Sequence, residues 1–429
     1  MNIKQLREYR TERKGFSLMP DNITLTEGGV TSPKGFMAAA TAAGIKYQDR
    51  TDMAMIFSQV PCHVAGTFTT NVVKAAPVKW DQHIVYDIGK AQVVICNSGI
   101  ANACTGQEGM DICERTAGAA AGILGIDPSH VLVASTGVIG MQIPIDKIAA
   151  GTKEMSKALD GSVEAGTSAA MAIMTTDTRK KEVCASFMLD GRTVTIGGMC
   201  KGSGMIHPNM CTMLSFLTTD ACISRPLLQE ALSTVVKDTY NMVSVDGDTS
   251  TNDTVLLLAN GKAGNTEISE KGRDYEIFLK ALYMVNEALA KKIAGDGEGA
   301  TALFEVKIVG ASTHEQAVTL AKSVVSSSLT KAAIYGHDAN WGRILCAMGY
   351  SGASFDPEKV DLWFSSENGE IKIIENGVST GYDEKEATRI LTAEAVTAVA
   401  DIKEGRETAT AWGCDLTYDY VKINADYRS

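Results

Sequence analysis

The chain has 429 residues, 45% hydrophobic and 21% charged, with a net charge of −11 at neutral pH. That length supplies two or three domains' worth of core without disulfide staples. The acidic balance excludes a general nucleic-acid binder, which needs clustered Lys and Arg to neutralise phosphates, and no such cluster exists beyond Arg179-Lys180-Lys181.

The first sixteen residues mix Lys and Arg with Glu8 and Glu12 and lack the apolar centre of a signal peptide. No stretch approaches the roughly 18 uninterrupted apolar residues of a membrane span. None of the ten cysteines forms a C-x-x-C pair, so zinc-ribbon and thioredoxin readings lack support. Scattered cysteines suit a reducing compartment, and cytoplasmic residence is expected.

Along the chain, 91–96 (AQVVIC) and 131–134 (VLVA) read as buried strands, with an Ala-rich helix over Met110–Leu124 between them. Residues 182–189 and 193–200 read as a hairpin around the tight turn Asp190-Gly191. Lys201–Asn209 (KGSGMIHPN) is a loop, followed by the apolar run Met210–Leu217. Ile277, Phe278, Ala281, Leu282, Val285, Leu289 and Ile293 recur at helical spacing over 273–293, and the glycines of 295–299 end that helix. A second helix is expected over Glu384–Ile402, and Asp415–Asn424 alternates like a strand. The alternation implies an α/β or α+β layering, with no repeat and no marked domain boundary.

Clusters rich in Gly, Ser, Thr and Asn interrupt the strands: 97–106 (NSGIANACTG), 135–137 (STG), 175–178 (TTDT), 201–204 (KGSG), 246–254 (DGDTSTNDT) and 296–301 (DGEGAT). At strand ends such clusters present N–H groups and hydroxyls to carboxylates and oxyanions. Each also has a plain reading. Gly202-x-Gly204 lacks the third glycine of a dinucleotide fingerprint and reads as a turn. TTDT reads as a cap or turn. The Asp-rich run lacks the terminal glutamate of a Ca loop, so no metal is expected there. No H-E-x-x-H or G-x-S-x-G occurs. The residues alone reach an α/β enzyme acting on small polar metabolites, and they do not reveal self-cleavage.

The segment 201–216, KGSGMIHPNMCTMLSF, resembles the cleavage-site segment of the ornithine acetyltransferase family, also called glutamate N-acetyltransferase. Other blocks resemble that family in order: 28–36 (GGVTSPKGF), 66–77 (GTFTTNVVKAAP), 97–106, 135–140 (STGVIG), 174–178 (MTTDT), 246–254, 296–301, 338–345 (DANWGRIL) and the terminal 424–429 (NADYRS). The chain departs from the pattern at Cys211, where Ala is usual, at Ile100 for Asn, at Ala339 for Pro and at Ser429 for Thr.

The resemblance implies a self-processing α/β fold with sheets sandwiched between helices. It implies a cut between Cys211 and Thr212, giving chains 1–211 and 212–429 that stay folded together. Thr212 is then the nucleophile, and its freed α-amine, with a pKa of about 7.7 to 8.0, is its base. Thr136 and Gly137 become the oxyanion donors. Thr175, Lys201, Thr212, Glu298, Asn424 and Ser429 become the substrate contacts. Lys201 suits a carboxylate and Glu298 suits the ammonium of ornithine, although spacing alone reads them as a loop lysine and a helix-end acid.

The implied substrates are N2-acetylornithine and glutamate, in arginine biosynthesis, with no resident cofactor; an alternative within the family adds acetyl-CoA as a second acetyl donor, as some members use it. Ile100 is expected to remove a polar side chain near a pocket wall, touching fine substrate selectivity but not the core chemistry, and Cys211 to act as a packing residue. A heterotetramer of two chains of each kind is implied, with neither nucleic acid nor membrane as partner. The competing readings are a self-processing amidohydrolase or aminopeptidase and an uncleaved binding protein.

Overall fold

The computed structural model of the protein describes residues 23–207 and 213–425. One sheet holds β1 (Thr24–Thr26), β2 (Phe36–Thr41), β3 (Met53–Phe68), β4 (Lys90–Asn97), β5 (Val131–Ser135), β6 (Lys181–Leu189), β7 (Arg192–Lys201) and β8 (Leu214–Thr219). The chain leaves it for β9 (Val243–Ser244) and returns as β10 (Thr254–Ala259). The order across this sheet is β1-β6-β7-β8-β10-β3-β4-β5, with β2 also paired to β3. The second sheet joins β9 to β11 (Leu303–Ala311), β12 (Asp361–Ser366), β13 (Gly369–Glu375), β14 (Val378–Ser379), β15 (Ala395–Asp401) and β16 (Glu407–Cys414).

Helices α1 (Ala76–His83), α2 (Gly106–Leu124), α3 (Ile145–Lys157) and α4 (Val163–Ala172) pack on β2, β3 and β5 of the first sheet. Helices α5 (Arg225–Lys237) and α6 (Arg273–Gly295) pack on each other, and α6 lies between the sheets, against β6 and β7 on one side and β9, β11 and β16 on the other. Helix α7 (His314–Ser326) packs on β11 and β16. The chain continues through α8 (Ser328–Tyr335), α9 (Trp341–Gly349), α10 (Glu384–Leu391) and α11 (Tyr418–Ala425). The result is the mixed α/β layering that the sequence implies.

The spacing of α6 explains its place. All seven of its expected apolar positions are buried, and Asp274 and Glu276 in its first turn complement the helix dipole. Close approach needs Gly198 on β7, where a Cβ would stand 2.6 Å from Leu217 and 2.9 Å from Leu289. The hairpin of β6 and β7 turns through Asp190 (φ 47) and Gly191 (φ 70), the left-handed pair that a two-residue turn demands.

Two expectations fail. The helix over 384–402 ends at Leu391, and 395–401 is β15, paired with β11 and β12. A strand enclosed by neighbours shows an apolar run without alternation, which periodicity cannot separate from a buried helix. The strand expected over 415–424 is α11, which buries no residue. Here Asp415 is anchored by the N–H groups of Thr301 (2.8 Å) and Ala302 (3.1 Å), and Thr417 Oγ1 accepts the N–H of Tyr420 as a cap, so the chain turns away from the sheet. The Ala-rich helix also begins earlier than expected, at Gly106.

Leu289→Ala leaves a cavity under β7 and is expected to lower stability by about 2–5 kcal/mol, measured as a lower urea midpoint at unchanged slope.

Candidate functional site

Strands β4 and β5 run parallel and end side by side at Asn97 and Ser135. Beyond them, Thr136 N–H donates to Asn97 O (3.0 Å) and Val138 N–H to Gly99 O (3.1 Å). Ser135 Oγ donates to Asn97 Oδ1 (2.7 Å), and the Asn252 amide donates to Ser135 O (2.8 Å) and Ala101 O (2.6 Å). The turn is therefore held from both sides. Its tip is Gly137, at φ +130, where a Cβ would meet the Gly99 carbonyl carbon at 2.2 Å. Only glycine fits this approach of backbone to backbone.

Lys201, the last residue of β7 and 9% exposed, donates from Nζ to Thr136 Oγ1 at 3.2 Å. An ammonium has no lone pair, so Thr136 is the acceptor and its own hydroxyl hydrogen stays available. After Lys201, Thr176 Oγ1 and Ser203 Oγ lie 2.7 Å apart, and Glu298 N–H donates to Ser203 O (2.9 Å). The Glu298 carboxylate lies over Gly204, where a Cβ would come within 2.4 Å of it. It accepts the Asn424 amide at 2.7 Å. Arg50 donates to the carbonyls of Met174 and Thr175, securing the loop that carries Thr175.

Beneath these residues lies a buried ionic group. Lys181 donates to Asp177 Oδ1 (2.6 Å) and Asp296 Oδ2 (2.5 Å). Asp177 also accepts the N–H of Gly202 (2.7 Å) and of Thr175 (3.1 Å). Burial alone would raise the Asp177 pKa, but the charges of Lys201 and Lys181 and the hydrogen bonds from Lys181 and Gly202 outweigh it and hold it at about 2.

Thr136, Gly137, Thr175 and Glu298, all in loops, are thus linked with Lys201 at the end of β7 and Asn424 on α11. Cys211, Thr212 and Ser429 lie outside the described residues. The chain on the far side of Thr212 is placed: a Cβ on Gly202 would touch Met213 Cβ at 3.1 Å, and Leu214 pairs with Lys201. Asp253, 1% exposed, accepts the Met213 N–H, and burial raises its pKa well above the ordinary carboxylate value.

Ile100 is 2% exposed and joins the apolar cluster of Met53, Ile95 and Ile148, while its carbonyl accepts the Asn97 amide. Ala339 is buried just before Asn340, whose side chain caps α9.

Reasoning from sequence passed over Asp177, Lys181, Asn252, Asp253 and Asp296 as individuals. Four of them sat inside the polar blocks TTDT, DGDTSTNDT and DGEGAT; Lys181 gave only the signal of a short basic run.

Asp177 has a folded pKa below its ordinary 3.8, so its stabilisation is complete above about 3.8 and is lost as pH falls toward 2. Asp177→Asn is expected to flatten the fall of unfolding free energy across that window, measured by urea titrations at stepped pH.

The ArgJ family profile matches residues 37–429. The chain is 51% identical over 406 residues to arginine biosynthesis bifunctional protein ArgJ 1 of Clostridium acetobutylicum, across 94% of this chain and 98% of that protein. It is 52% identical over 404 residues to arginine biosynthesis bifunctional protein ArgJ of Symbiobacterium thermophilum, across 94% and 99%. It is also similar to a solved chain of ornithine acetyltransferase complexed with ornithine from Mycobacterium tuberculosis, at 41% identity over 44% of this chain and 100% of that one, with a TM-score of 0.41.

Proposed function

The chain belongs to the ArgJ family, and from that premise we propose that it transfers acetyl from N2-acetylornithine to glutamate in arginine biosynthesis, through an ester on Thr212. The observation that carries the reading is the Lys201–Thr136 bond beside Gly137. It leaves a polarised hydroxyl with a free hydrogen at a turn that only glycine can make, next to the strand that continues from Thr212.

A cut between Cys211 and Thr212 gives chains 1–211 and 212–429. The new α-amine of Thr212 accepts the proton of its own hydroxyl as the oxygen attacks the acetyl carbonyl. The oxyanion so formed takes hydrogen bonds from Thr136 Oγ1 and Gly137 N, donors that are each worth about 2.7–4 kcal/mol in comparable sites. Collapse breaks the C–N bond, and the leaving α-amine of ornithine takes the proton back from the Thr212 ammonium. The acetyl group remains as an ester until the α-amine of glutamate attacks it by the same steps in reverse.

Lys201 is the partner for the α-carboxylate common to both substrates, and Glu298 for the ornithine ammonium. Thr175, Asn424 and Ser429 complete the contacts. Both substrates share the α-carboxylate and α-nitrogen, which lets one pocket serve each in turn. No resident cofactor is required. Acetyl-CoA is proposed as a second acetyl donor to glutamate. Two chains of each half are proposed to assemble as a heterotetramer in the cytoplasm; no helix among the described residues is long and apolar enough to cross a membrane.

The test is the intact mass of purified protein before and after incubation with acetylornithine. Two half-length chains, the C-terminal one gaining a single acetyl group, are expected. Thr212→Ala should remain one full-length chain without activity. Thr136→Val should still fold and lose about 10²–10³-fold in turnover. Acetylornithine hydrolysis that is equally fast without glutamate would favour an amidohydrolase instead.

A further inference from the structure

We propose that Lys181, Asp177 and Asp296 form a positioning network that sets Thr175, Lys201 and Glu298 in register for substrate binding across the cut. The proposal rests on the acetyl-transfer reading above. Lys181 is the first residue of β6 and 1% exposed. Its ammonium uses all three donors, on Asp177 (2.6 Å), Asp296 (2.5 Å) and Arg179 O (3.3 Å).

Both carboxylates then grip the loop that carries Thr175, and Asp177 also reaches the segment after Lys201. Asp177 takes the N–H of Thr175 and that of Gly202, the residue after Lys201. Asp296, two positions before Glu298, takes the N–H groups of Thr178 (3.1 Å) and Arg179 (3.3 Å) together with the Thr178 hydroxyl. Three segments that carry proposed substrate contacts therefore meet on one ammonium. Asp177 and Lys181 precede the cut and Asp296 follows it, so the network also ties the halves together at the pocket.

The charge count sharpens the assignment. Two carboxylates face one ammonium, and the second positive charge acting on Asp177 is that of Lys201. Lys201 itself is held by its bond to the Thr136 oxygen. A buried ionic group is seldom the most stabilising way to fill a core, because desolvation offsets its attraction. Its geometric value is different: directional charged bonds fix loops that apolar packing would leave loose.

The experiment compares wild type with Asp296→Asn and Lys181→Met, following chain cleavage by gel, folding by circular dichroism and steady-state acetyl transfer. Both variants are expected to be cut and folded. KM for acetylornithine and for glutamate should rise by about tenfold or more, with kcat falling by a smaller factor, as for lost binding geometry. Unchanged KM in folded variants overturns the network's positioning role. Failure of both variants to give folded, cleaved protein also overturns it, because the group would then be a folding staple. Wild type without acetyl transfer would instead sink the functional reading.

Discussion

A lysine at the end of a buried strand needs acceptors for its N–H groups. Lys201 meets that demand with one neutral oxygen, on Thr136, and its charge acts on the nearby Asp177 carboxylate. Much of the site follows from that solution. The Thr136 turn must lie close to β7, and within that turn Gly137 sits on the Gly99 backbone, which excludes any side chain there. Asp177 must be buried beside it, which calls for a second cation, Lys181, and in turn for Asp296. The loop after Asp296 then brings Glu298 over Gly204.

Some of this was legible in the residues. Asp190-Gly191 between two strand-like runs specified the hairpin, and the helical spacing of 277–293 specified the helix between the sheets, because both signals arise from local geometry. The 395–401 strand was not legible, since its neighbours supply the burial that periodicity would have to report. Nor was α11, whose course depends on Asp415 meeting Thr301 and Ala302, more than a hundred positions earlier in the chain.

The site divides in the same way. Polar blocks at strand ends marked the candidate site, because glycine and small hydroxyl residues in apolar surroundings require a reason. Which side chains face each other stayed hidden. Lys181 and Asp296 are far apart in sequence, and nothing in a run of three basic residues tells that the last is buried and the first two are not. Thr212 as nucleophile came only from resemblance. In the residues themselves it is a threonine in an apolar run.

The sheet order also bears on why a chain cut at residue 211 would hold together. Strand β7, before the cut, pairs with β8 after it, and β10 from the second half lies between β8 and β3 of the first. The apolar clusters do the same: Ile196 and Cys200 pack with Leu217 and Leu289, and Ala54 and Val94 with Phe216 and Leu256. Separating the halves would expose both clusters and unpair two strand edges, a cost that grows with the apolar area uncovered. Severing one peptide bond removes none of these contacts. A cut there, as proposed, would leave the sheet holding Lys201, Thr136 and Glu298 where the intact fold places them.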